Sequence, residues 1–142
     1  RFDAKKRSYI YLIISEKDPF YDEFAYYNPT VEKISIATLN ALSNQLLGKF
    51  DFTSFSKRNS DTKTNICTIS NARWKRMGNK TLFLIEADRY LHGMVRTIVG
   101  TILRCANNNE LDGIERIIRL KNRIFAGEAV PAKGLFLYKV KY

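Results

Sequence analysis

Two cysteines and a single histidine are few for a chain of 142 residues, and each shortage excludes a class of chemistry. Cys67 and Cys105 lie far apart with no C-x-x-C pair, and His92 stands alone. That argues against a zinc site and a disulfide framework, and it fits a reducing cytoplasm. No glycine-rich phosphate loop and no Gly-x-Ser-x-Gly elbow occurs, so neither metal nor ordinary cofactor is indicated. No apolar run approaches the length of a membrane span, no signal peptide is visible, and no repeat or low-complexity segment interrupts the chain. Acidic side chains are also short: 14 Asp+Glu stand against 24 Lys+Arg, a net charge of +10. Such an excess favours a polyanionic partner, most often nucleic acid, through phosphate neutralisation and counterion release. The plain alternative is a generally basic soluble protein. An anionic membrane surface fits less well, because no helix pairs a wholly basic face with an exposed apolar one.

What is present describes one globular domain. Apolar residues make up 45% and aromatics 13%, enough to build a core at this length. Arg1 is not an initiator methionine, so either the start is processed or the chain is a piece of something longer. Tyr9 to Ile14 reads as a strand, and residues 16–29 as a connection. A helix capped by Asn28 or Thr30 follows, with Ile34, Thr38, Leu42 and Leu46 on one face and Gly48 as its stop. Residues 49–63 read as a polar loop. Thr64 to Lys75 and Lys80 to Asp88 are strands joined through Arg76-Met77-Gly78-Asn79. A helix from about His92 to Cys105, a shorter one around Ile114 and Ile117, a basic loop over 121–134 and a final alternating strand from Leu135 to Tyr142 complete the order. The pattern β-α-ββ-αα-β implies an α+β fold, an antiparallel sheet with helices packed on one face.

The helix after residue 92 carries the sharpest signal. Met94, Val95, Ile98, Val99, Ile102 and Leu103 recur at helical spacing and bury one broad face, with Arg96 set within that pattern. A cation at the edge of a core is costly unless an anion meets it. By periodicity alone, Arg96 snorkels to the surface along its methylenes. The other reading is that it holds a catalytic carboxylate or a phosphate.

Four segments bear on that choice. They are Arg1-Phe2-Asp3-Ala4-Lys5-Lys6-Arg7-Ser8-Tyr9-Ile10-Tyr11; Asp51-Phe52-Thr53-Ser54-Phe55; Tyr90-Leu91 with Met94-Val95-Arg96 and Val99-Gly100; and Ala126-Gly127, Pro131 and Lys133-Gly134-Leu135-Phe136-Leu137. Together, and in this order, they resemble the C-terminal part of the TruA-type tRNA pseudouridine synthases, from the first residue to the last. The resemblance implies a pseudouridine synthase-type fold and an isomerase without a cofactor. Such an enzyme detaches uracil from its ribose, turns it and rejoins it through carbon, in the anticodon stem-loop of tRNA. It also implies a homodimer, and an aspartate as the catalytic group.

By the same resemblance Arg96 pairs with that aspartate, Tyr9 is the active-site tyrosine, and Leu135 lines the uracil pocket. The physics of the pair agrees, because an opposed guanidinium holds a carboxylate in the ionised form a nucleophile needs. A tyrosine ring can stack on the target base while its hydroxyl offers a donor or a base. The plain readings are that Tyr9 packs on the sheet and that Leu135 is a core leucine. His92 is a further substrate-facing candidate at the helix start. The family's R-T-D-x-G aspartate has no counterpart here, since no Arg-Thr-Asp occurs. Asp51 precedes an aromatic and reads as a turn or capping residue, while Asp3 and Asp61 have nothing to recommend them. The expectation is half an active site, inactive by itself, with the other half supplied by an absent N-terminal portion.

Candidate phosphate contacts are Arg7, Lys57, Arg58, Arg89, Arg123 and Lys133, all in or beside loops. Each singly reads as a solvated charge; as a set they suggest a basic groove. The chain departs from the family pattern at Gly93, where a larger residue is usual, and at Thr97, Asn122 and Ala129. Two rivals remain. One is a non-catalytic RNA-binding module derived from the same fold, which leaves the retention of Tyr9 and Arg96 unexplained. The other is a purely structural dimerisation domain, which leaves the net charge unexplained.

Overall fold

The computed structural model describes residues 5–57 and 64–142. Its central element is β1 (Lys6–Ile14), which has neighbours along both edges. On one edge it runs antiparallel to β5 (Lys80–Ala87), pairing Arg7 with Ala87 through to Ile14 with Lys80. On the other it meets β6 (Leu135–Lys141) antiparallel and then, at Ile13 and Ile14, the two-residue β2 (Tyr26–Tyr27) in parallel. Beyond β5 lie β4 (Ile66–Met77) and β3 (Gly48–Asp51), both antiparallel to their neighbours. The α+β fold expected from the sequence is present, with one short parallel pairing in an otherwise antiparallel sheet.

Three helices, α1 (Ile36–Asn44), α2 (Met94–Asn107) and α3 (Gly113–Leu120), share one core with the sheet. Strand alternation decides which residues reach it: Phe83, Ile85 and Ala87 of β5 are fully buried, while Leu82, Leu84 and Glu86 between them are only partly so. Leu39 and Leu42 of α1, Ile98 and Ile102 of α2 and Ile114 and Ile117 of α3 are all buried in the same cluster. Asn40 of α1 also accepts from the Trp74 amide at 2.7 Å and donates to the Trp74 carbonyl at 3.3 Å, and Ser43 accepts the Trp74 indole N–H at 2.7 Å. The helix thereby covers the part of β4 that β3 does not reach.

Several sequence expectations are corrected. The cap of α1 is Ser35, whose hydroxyl accepts from the Thr38 amide at 3.0 Å; Asn28 instead closes a local turn onto Thr30. Gly48 does not stop that helix, which ends at Asn44. It opens β3 at φ +119°. Residues 48–51, read as helix stop and loop, form an edge strand because backbone pairing with Ile66–Ile69 supplies what a four-residue pattern cannot advertise. The alternation of β6 breaks where the register slips between Ser8 and Tyr9, so Leu137 faces Tyr9 and Lys139 faces Ser8. Gly93 is not in the first helical turn but is the N-cap of α2, at φ +71°.

Candidate active site

Tyr9 and Tyr11 are two apart on β1 and so project to the same, helix-facing side. Tyr11 is fully buried, whereas Tyr9 stands at the rim, half-buried. Tyr90 meets the Tyr9 ring edge-on, with centroids 4.9 Å apart and planes at 88°, and donates its own hydroxyl to the Arg7 carbonyl at 2.6 Å. Burial, and secondarily the neighbouring Tyr9, raise the Tyr90 hydroxyl's pKa well above the usual range, so it stays a neutral donor that fixes the ring beside it. The Tyr9 hydroxyl has no hydrogen-bond partner among the described residues and remains available.

Arg96 lies in the first turn of α2, on the flank between its buried stripe and solvent. Its Nε donates to the Val130 carbonyl at 2.8 Å, and the Val130 amide returns a bond to the Arg96 carbonyl at 3.2 Å. Among the described residues no hydrogen bond or ion pair takes up the two terminal guanidinium nitrogens. A guanidinium held by Nε with its outer edge open is pre-set to receive a planar anion through two parallel bonds.

Tyr9, His92, Arg96 and Leu135 come together in one open hollow of about 300 Å³, whose lining also includes Tyr90, Gly93 and Ala132. His92 is exposed on its rim, and its carbonyl accepts the Lys57 amide at 2.9 Å, which brings Lys57 alongside. Arg7 sits two residues before Tyr9 on the same strand. Arg89 lies elsewhere: one terminal nitrogen donates to the carbonyls of Thr64 and Ile66 at 2.9 and 2.8 Å. Arg123 begins a 3-10 turn capped by Asn122. Lys133 lines a separate hollow of about 510 Å³ with Lys17, Asp18 and Asp22. Arg58, together with Asp3 and Asp61, falls outside the described residues.

Asp51 takes no place in the hollow. Its Oδ1 accepts from the Thr53 amide at 2.9 Å and so turns the chain into the 3-10 segment Thr53–Phe55. Within that segment the buried Ser54 donates to the Ile117 carbonyl at 2.7 Å and accepts from the Asn122 amide at 2.8 Å. The Asp-Phe-Thr-Ser-Phe loop thus joins α3 to the loop after it. Three groups beside the site go unmarked in the sequence: the Val130 and Pro131 carbonyls, which are backbone acceptors, and Tyr11, which holds a core position. The spacing of Tyr9 and Tyr11 was the available signal for the last.

A strongly basic α+β domain thus sets an arginine with an open edge, an edge-fixed tyrosine and an apolar wall around one hollow, an arrangement chemically able to receive an anion and a planar group. The sequence matches the family model described as tRNA pseudouridine synthase over residues 42–142. All of the chain also aligns with proteins named tRNA pseudouridine synthase A. It is 42% identical to that of Parabacteroides distasonis, covering 56% of it, and 41% identical to those of Bacteroides fragilis and Azobacteroides pseudotrichonymphae, covering 56% and 57%. The chain belongs to the tRNA pseudouridine synthase family. It spans little more than half the length of the curated relatives it matches.

Proposed function

We propose that this domain supplies the C-terminal half of the active site of a tRNA pseudouridine synthase, which converts uridine to pseudouridine in the anticodon stem-loop. The reaction breaks the N1–C1′ bond, turns the base, forms C5–C1′, removes the proton from C5 and leaves N1 protonated. The observation that carries this reading is the open edge of the Arg96 guanidinium in the hollow shared with Tyr9 and Leu135. In this account an aspartate on an N-terminal portion of the protein is the nucleophile, and Arg96 keeps it ionised and oriented. Tyr9 offers a ring to the flipped base and a free hydroxyl as donor or base, and Leu135 bounds the uracil pocket. His92 meets substrate at the rim. Arg7, Lys57, Arg58, Arg89, Arg123 and Lys133 are the proposed phosphate contacts, whose summed attraction offsets the cost of unstacking the uridine. The protein acts in the cytoplasm as a homodimer, without metal or cofactor.

The test is Arg96→Ala in the whole protein. Turnover should fall to background while tRNA affinity stays within about tenfold, because the side chain serves a carboxylate rather than the RNA backbone. Normal turnover in this variant would remove the proposed role.

A further inference from the structure

We propose that Tyr11, buried behind the hollow, is a positioning residue for Arg96: its hydroxyl fixes the Val130–Pro131 backbone, whose carbonyl aims the guanidinium. The inference rests on the reading of Arg96 as the partner of a catalytic carboxylate.

Tyr11 is 0% exposed and does not line the hollow, so it does not touch substrate there. Its hydroxyl donates to the Pro131 carbonyl at 2.6 Å. One residue earlier, the Val130 carbonyl receives Arg96 Nε at 2.8 Å and the Val130 amide binds the Arg96 carbonyl at 3.2 Å. Both the backbone and the side chain of Arg96 are therefore referenced to Val130. With Nε bound, the direction of the two outer nitrogens follows from where the Val130 carbonyl lies, because the guanidinium is planar. Pro131 has no amide hydrogen of its own, so its carbonyl is the polar backbone group by which this residue can be held.

The ring of Tyr11 is itself held. A Cβ on Gly134 would lie 2.8 Å from Tyr11 Cζ and 2.9 Å from the Leu12 carbonyl oxygen. Only a residue without a side chain lets the chain pass there while the phenol reaches Pro131. Burial first, and Tyr26 second, push the Tyr11 hydroxyl's pKa well up, against an opposing pull from Arg96, so it remains a protonated donor at working pH.

The experiment is Tyr11→Phe in the whole protein, alone and combined with Arg96→Lys. It reads single-turnover pseudouridine formation and tRNA affinity at the highest temperature where circular dichroism shows the full native signal. Tyr11→Phe should slow the rate at least tenfold with affinity unchanged within twofold. In the Arg96→Lys background, where no guanidinium remains to be aimed, adding Tyr11→Phe should cost less than twofold. A Tyr11→Phe rate within twofold of wild type, or a full multiplicative loss in the Arg96→Lys background, would overturn the proposal. An Arg96→Lys protein as fast as wild type would instead sink the carboxylate reading of Arg96, and this inference with it.

Discussion

Ser54 shows how much one small side chain carries in this domain. It is wholly buried, and its hydroxyl is both donor to Ile117 and acceptor from Asn122. Removing a buried hydroxyl leaves both backbone groups unsatisfied, which costs about 1–3 kcal/mol. Ser54→Ala should lower the unfolding free energy by about that amount in a denaturant titration; an unchanged midpoint would mean that water replaces both bonds. Nothing in the sequence distinguished Ser54 from an ordinary loop serine, because its partners are backbone groups far along the chain. Arg96 was different. Its place beside an apolar stripe marked it as anomalous, yet periodicity left snorkelling open, and only the resemblance tied it to a carboxylate. The geometry is that of an arginine half tethered and half open, anchored at Nε rather than extended freely into solvent.

At the scale of elements, Glu86 is where four strands meet. Its carboxylate lies 3.0 Å from Lys141 on β6 and 4.0 Å from Lys6 on β1, and it accepts from Ser70 on β4 at 2.9 Å and from Ser8 on β1 at 3.3 Å. The bond from Lys141, then that from Ser70, hold its pKa below the usual carboxylate value of 4.5. A depressed folded-state pKa contributes stability above the unfolded value and loses it as pH falls through the folded one. Glu86→Gln should therefore cost less than about 1 kcal/mol at neutral pH, since both lysines are half exposed and screened. The gap between variant and wild type should narrow below pH 4.5, the window in which wild-type Glu86 takes up its proton. Thermal unfolding across pH 3 to 7 (about the range where the carboxyl titrates) checks this; a gap constant with pH would show that packing, not charge, holds β6 to the sheet.

The elements themselves were largely readable. Strong period-two and helical patterns located β1, β4, β5, α2 and α3, because each buries a face long enough to leave a signature. By contrast, β6 alternates in sequence yet is mostly exposed and is held by its pairing with β1. The missed features were short or made by backbone alone: four residues of edge strand in β3, two in β2, and a helix start moved to Ser35 by its capping bond. The site was legible as residue identities and not as a place. Tyr9, His92, Arg96 and Leu135 come from three separated segments, and only the pairing of β1 with β6 and the seating of α2 beside them brings the four to one hollow.

For the molecule as a whole, the decisive feature is that the described residues lining the hollow include no carboxylate. An arginine edge that meets no anion among the described residues, in a strongly basic domain of a tRNA-modifying family, fits one side of a two-sided site. On the proposal made above, the carboxylate that answers Arg96 lies on a separate portion of the protein, and RNA contacts are shared between the two halves. The most direct measurement compares pseudouridine formation on an anticodon stem-loop tRNA by the whole protein from its source cells and by this domain alone, in the same assay. The expected result is turnover by the whole protein and none by the domain, whose fold is verified by circular dichroism. Pseudouridine formed by the domain alone would contradict it, because the nucleophile would then have to be one of the aspartates within these 142 residues.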